Sequence, residues 1–301
     1  MTQADNMPLP VDGELRRCAR RAGPLAYYVR GDGPPVLLVH SINAAASAHE
    51  VRPVFDHLCT RFTTYAVDLP GFGRSDRSKR DYDVRLYTDA ILDLADIIRE
   101  ETGQSPAAVL GLSLSAEFVT RAVVERQVAH RVVLVNPTGF NHGANDLKQE
   151  GGTRELPGFE GFLSLPGLGK GLFSLLTKPG MVRYFLRRTF GSDNVDPWLV
   201  DYSAMTARQP GARHAAFAFL SGKLFSKDIR ALYERLECPV WLAHGTRGDF
   251  DDFSEAQWTS DRPNWARTAY DSGAMVFFEE PEAFHRDLDA FLSERGEQDH
   301  P

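Results

Sequence analysis

The chain has 301 residues, 43% of them apolar and 25% charged, with a formal net charge of −7. That is enough for one sizeable core with room for an inserted subdomain, and the acidic balance argues against a nucleic-acid or anionic-membrane surface. No apolar run approaches ~18 residues, so no membrane span is expected.

The first residues, Met1 to Gly13, are polar and carry no secretory pattern. Apolar runs rich in β-branched or aromatic residues predict strands over 25–29, 36–40, 63–68 and 107–110. A helix is predicted over 87–101, where Ile91, Leu92, Leu94, Ile97 and Ile98 recur near helical spacing, and a second over 115–127. A further strand follows over 132–136. Continuous runs such as Val36-Leu37-Leu38-Val39 suit strands buried on both faces. Between about 138 and 237 the strand pattern stops, and helices are predicted over 172–176, 181–190, 197–208 and 215–224. This stretch reads as a helical cap whose polar, Gly-rich start, 141–161, is expected to be mobile. Strands resume at 240–244 and 268–271, an amphipathic helix follows over 281–292, and a polar tail over 293–301. The expectation is an α/β protein with a mainly parallel sheet flanked by helices: a core in two parts, 1–137 and 238–301, around a cap at 138–237. Cys18, Cys59 and Cys238 form neither a CxxC pair nor a disulfide framework, as expected of free thiols in a cytoplasmic protein.

The strongest chemical signal is Val109-Leu110-Gly111-Leu112-Ser113-Leu114-Ser115: strand, Gly-x-Ser-x-Ser, helix. A sharp strand-to-helix turn needs small residues around the serine and leaves its hydroxyl exposed in a strained conformation. The alternative is that Ser113 merely caps the following helix.

With this motif, three further blocks resemble the capped α/β-hydrolase superfamily of epoxide hydrolases, haloalkane dehalogenases and carboxylesterases. They are Val36-Leu37-Leu38-Val39-His40-Ser41, Asp68-Leu69-Pro70-Gly71-Phe72-Gly73-Arg74-Ser75-Asp76 and Val240-Trp241-Leu242-Ala243-His244-Gly245. The resemblance runs from about residue 24 to 292 and implies an α/β-hydrolase fold with an eight-stranded type of sheet. It implies an oxyanion hole built from the amides of Leu114 and Ile42, with His40 holding the loop. Asn43 is either an extra donor or an ordinary loop residue, and Ser115 stands where glycine is usual. The acid is expected at Asp249, with Asp251 and Asp252 as alternates, unless the three form a solvated loop face.

The triad histidine is missing from its place. The segment Gly273-Ala274-Met275-Val276-Phe277-Phe278-Glu279-Glu280-Pro281 carries the family's landmarks, with Ala274 where histidine belongs. His285 lies beyond, on the last helix. His49 is the least implausible substitute, ahead of His142 and His214. A serine hydroxyl needs a base to act at neutral pH.

Phe159, Phe162, Leu163, Leu168, Phe173, Tyr184, Phe185, Trp198, Phe217 and Phe219 are expected to pack the cap and in part to line an apolar pocket. That points to a hydrophobic small molecule such as an ester or lactone, with no cofactor and no metal. Arg183, Arg187 and Arg188 read as a solvated basic face. Three functions remain open: a serine hydrolase with a non-standard base, a lyase, isomerase or cyclase using the same pocket without a covalent step, and a degenerate hydrolase that binds a ligand.

Overall fold

The computed structural model describes residues 7–142, 151–163, 165 and 167–293. The first six residues, the middle of the stretch expected to be mobile (143–150), nearly all of the polar tail (294–301) and the Leu168 side chain lie outside the described residues.

In chain order the elements are β1 (Glu14–Arg20), β2 (Gly23–Arg30), β3 (Pro35–Val39), α1 (Arg52–Leu58), β4 (Thr63–Asp68), α2 (Val84–Thr102), β5 (Ala108–Leu112), α3 (Ser115–Glu125) and β6 (Val132–Val135). Six helices follow: α4 (Phe159–Leu163), α5 (Leu168–Leu176), α6 (Pro179–Phe190), α7 (Pro197–Ala207), α8 (Arg213–Leu220) and α9 (Ile229–Glu234). Then come β7 (Val240–Gly245), β8 (Trp265–Tyr270), α10 (Val276–Glu279) and α11 (Pro281–Ser293). The eight strands form one sheet in the order β1-β2-β4-β3-β5-β6-β7-β8. β2 is antiparallel to both neighbours, and every other pairing is parallel.

Alternation along the strands explains the layers. Leu37, Val39, Tyr65, Val67 and Val109 face one side and pack with Ile91, Phe118, Val119 and Tyr233 of α2, α3 and α9. Val36, Leu38, Ala66, Leu110 and Val133 face the other side, with Val54, Phe55, Phe284 and Leu288 of α1 and α11. Runs such as PVLLV are wholly buried because both faces are covered. α2 begins where the Asp83 carboxylate accepts the Leu86 amide and ends at Gly103 in the left-handed region.

Each predicted strand is found, with ends shifted by up to three residues. β1 was not predicted: its charges sit on an edge strand, where Arg16 and Arg20 pair with Glu101 and Glu100 of α2. The short helices α1, α4, α9 and α10 are too brief to show a helical period. The fourth predicted cap helix, 215–224, stops at Leu220, before the turn made by Ser221 and Gly222. α9 packs against α3 on the flank of the sheet, although the expected cap boundary falls after it, at 237.

Parallel pairing brings the ends of β3, β4, β5, β6, β7 and β8 to one edge of the sheet. The chain leaves β3 toward β4 on one side and returns to β5 on the other. The crevice between the ends of β3 and β5 is therefore a topological switch point, where open α/β sheets hold their ligands.

Candidate active site

Ser113 stands in that crevice, between the end of β5 and the start of α3. Its φ is +54°, and Asn136 is the other non-glycine in the left-handed region among the described residues. Side chains avoid this region, so the surroundings must hold it. The Ser113 amide donates to the Val135 carbonyl at 2.8 Å, and its own carbonyl accepts from the Ala116 amide at 3.0 Å. Gly111 permits the tight bend, because a Cβ there would come within 2.9 Å of the Ala116 Cα. Ser113 is half-buried, and its hydroxyl has no hydrogen-bond partner among the described residues.

Ser115, expected as an accessory residue, is fully buried, and its hydroxyl donates to the His40 carbonyl. It ties the start of α3 to the end of β3, which is what serine adds where glycine is usual. His40 is structural. Its Nε2 accepts from the Leu69 amide at 3.0 Å, so Nδ1 carries the proton and donates to the Ser41 carbonyl at 2.6 Å. Burial pushes its pKa down to about 4.

Leu114 and Ile42 are both buried, and neither amide has an acceptor among the described residues. Asn43 is not a free donor. Its amide hydrogens go to Ser41 Oγ (2.9 Å) and Glu50 Oε1 (2.7 Å), while its oxygen accepts from the Ala45 amide. The other Glu50 oxygen accepts from the Ser41 amide at 2.9 Å. Glu50 therefore braces the loop after β3, and burial pushes its carboxyl up to about 7. Glu50 carries no role in the sequence reading, because its partners, the Ser41 amide and the Asn43 side chain, are set by the fold of the loop.

His49 does not serve as a replacement base. Its two ring nitrogens meet Ser47 Oγ (2.7 Å) and Ser203 Oγ (2.8 Å), and the ring stacks on Tyr202 of α7. Burial pushes it down to about 3. His244 is likewise committed, donating to the Gly245 carbonyl and accepting from Arg267 Nε. His285 stacks on His57 with ring centroids 4.1 Å apart, far along the chain on α11. His142 is exposed and His214 lies on α8. Among the described residues no imidazole nitrogen makes a hydrogen bond to the Ser113 hydroxyl.

Asp249 turns to the inserted helices. It is exposed, its carboxylate is paired with Arg188 at 2.5 Å, and its amide donates to the Arg188 carbonyl. Asp252 lies just before the short helix at Ser254–Asp261, where it accepts the Ser254 amide (3.0 Å) and the His142 amide (2.9 Å). The Ser254 side chain, then the His142 and Ser254 amides, hold it down at about 2, as a surface acid. Asp251 is exposed. Ala274 is buried, and its amide donates to the Thr189 carbonyl at 3.0 Å. A Cβ at Gly273 would meet the Phe190 Cα at 2.3 Å. The C-terminal end of α6 thus lies directly on the turns that follow β7 and β8.

Asn136, also missed from the sequence, joins these turns. Its oxygen accepts the Gly245 amide at 3.2 Å and its nitrogen donates to the Phe250 carbonyl at 3.0 Å. Surface grooves of about 430 and 250 Å³ lie along Arg85, Arg121 and Arg235, and along Lys170, Phe173 and Arg213; Ser113 lines neither. Among the described residues no cluster of His, Cys, Asp or Glu is placed to hold a metal.

A model of the alpha/beta hydrolase family matches residues 26–287. An uncharacterised protein of Mycobacterium tuberculosis is 31% identical over 120 residues, which cover 40% of this chain and 34% of that protein. A 2-(acetamidomethylene)succinate hydrolase of Mesorhizobium japonicum is 34% identical over 112 residues, 37% of this chain and 38% of that one. The match thus spans about a third of the length of these curated relatives. Among solved structures, a serine hydrolase involved in carbazole degradation superposes with a TM-score of 0.73 at 16% identity, covering 94% of this chain and all of its own. The enol-lactonase of Burkholderia xenovorans gives 0.71 at 16% identity, covering 93% of this chain and all of its own. At such identities the superpositions establish the fold.

Proposed function

Because the chain belongs to the alpha/beta hydrolase family, we propose that it is an enzyme acting on a carbonyl group of a small, largely apolar molecule, with Ser113 as nucleophile and no histidine base. The left-handed backbone of Ser113 at the switch point carries this reading. A serine that only capped α3 would not need a strained conformation, and the cap residue of α3 is Leu114.

Ser113 Oγ attacks the carbonyl carbon, and the carbonyl oxygen gains the negative charge. The amides of Leu114 and Ile42, which have no acceptor among the described residues, take up that charge. The hydroxyl proton goes to water or to a basic group of the substrate, since no described imidazole is placed to receive it. The leaving group departs, and water cleaves the acyl-serine. Glu50 and Asn43 keep the Ile42 loop in shape. The relatives named for an acetamidomethylene succinate and an enol-lactone support a small substrate with an activated carbonyl. An enol-lactone expels a good leaving group, and a substrate of that kind depends least on a general base.

The second reading is a lyase, isomerase or cyclase in which the same amides hold an enolate and no acyl-serine forms. The unpartnered Ser113 hydroxyl favours it. Turnover of a panel of small aryl esters and enol-lactones separates the two. The first reading predicts that Ser113→Ala lowers turnover by roughly a hundredfold or more. Turnover that survives Ser113→Ala selects the second. A bound ligand that raises Tm without any turnover leaves a binding protein.

A further inference from the structure

We infer that helices α5 and α6 form a docking surface for an anionic lipid bilayer, held at the membrane face and not spanning it. The observation is a segregation of charge and apolar surface. Residues 161–192 contain no Asp or Glu and five cations, Lys170, Lys178, Arg183, Arg187 and Arg188, in a chain of net charge −7. All five are exposed. Lys170, Lys178 and Arg183 have no carboxylate partner among the described residues, whereas most arginines of the core are paired.

Most of the large exposed apolar side chains lie in or just before the same stretch. Eight of the eleven large apolar residues exposed among the described residues fall between 156 and 185. α5 turns Phe173 inward and leaves Leu172 (37%) and Leu175 (50%) in water; α6 buries Val182 and exposes Tyr184 (48%) and Phe185 (46%). The two helices are consecutive and packed together. Isolated exposed apolar residues need no explanation, but a concentration of them in one segment does.

An apolar surface interleaved with unpaired cations matches a bilayer interface, where acyl chains take the apolar side chains and anionic headgroups the charges. The acidic remainder of the chain does not forbid this. Solution ions screen charges beyond about 8 Å at physiological salt, so a headgroup responds to the local patch. A second copy of the chain would bring five more cations to the same face, which disfavours self-association there.

The test is flotation of the full chain with phosphatidylcholine vesicles, alone or with about 30% phosphatidylserine. Retention at least ten times stronger on the anionic vesicles is expected, falling steeply as salt rises from about 0.05 to 0.5 M. Lys178→Glu with Arg183→Glu is expected to abolish it, and Leu175→Ser with Phe185→Ser to weaken it at least tenfold. These positions are exposed, so Tm and circular dichroism should stay unchanged. Absence of retention at low salt, equal retention on neutral vesicles, or indifference to the charge reversals would overturn the inference. So would a concentration-dependent dimer that Leu175→Ser with Phe185→Ser dissolves, since the face would then belong to a second copy.

Discussion

Glu50 is 4% exposed and still accepts the Ser41 amide and the Asn43 side chain. Burial outweighs those bonds and raises its pKa from 4.5 to about 7. The folded chain therefore keeps a proton that the unfolded chain has released. The resulting stabilisation is complete below about pH 4.5 and is lost as pH rises through about 7. His40 and His49 act in the opposite sense. Their folded values of about 4 and 3 lie below the ordinary 6.5, so their contribution is present above pH 6.5 and lost as pH falls. Glu50→Gln isolates the first effect, because glutamine cannot ionise. The Tm of the variant minus that of the parent should be higher at pH 8 than at pH 5 by at least about 2 °C. A difference that is flat with pH would show that Glu50 is not the buried acid described.

α6 decides what the ends of β7 and β8 can do. Two backbone carbonyls of its last turn accept hydrogen bonds, Arg188 from the Asp249 amide and Thr189 from the Ala274 amide. The Arg188–Asp249 ion pair adds a surface contact with side chains 52% and 39% exposed. Such pairs contribute no more than about 1 kcal/mol. Asp249→Asn should therefore change Tm little and alter the reactivity of Ser113 toward a fluorophosphonate by less than about threefold. Loss of a working triad acid costs several orders of magnitude. A hundredfold fall in labelling rate would return Asp249 to the reacting centre.

The same elements show what the sequence discloses. β3, β5 and β6 are legible because burial on both faces makes them continuous apolar runs. The Ser113 bend is legible because Gly111 and the flanking strand and helix are local requirements. β1 is hidden because its charges are satisfied by α2, eighty residues away in the chain. The commitments of Asn43 to Glu50, His49 to Ser203 and Asp249 to Arg188 are tertiary, and no spacing announces them. Ala274 is legible as a gap in a pattern, but its contact with α6 is not.

On the scale of the molecule, one sheet brings the ends of six parallel strands to one edge, with a switch point between β3 and β5, and the helices between β6 and β7 carry most of the large exposed apolar side chains among the described residues. No helix among the described residues is long and apolar enough to cross a membrane. The net charge of −7 describes the whole chain and conceals the basic, acid-free segment at 161–192. The proposed nucleophile and the proposed docking face lie on different elements, so the vesicle experiment and the kinetic experiments can fail independently.

The central claim is that Ser113 is a reactive serine without an imidazole partner. Treatment with a fluorophosphonate followed by peptide mass mapping tests it most directly. The account predicts slow, stoichiometric modification of Ser113, absent in Ser113→Ala and unaffected by His49→Gln. A folded chain that stays unmodified, a label on another residue, or a labelling rate that collapses in a histidine variant of unchanged Tm would contradict it.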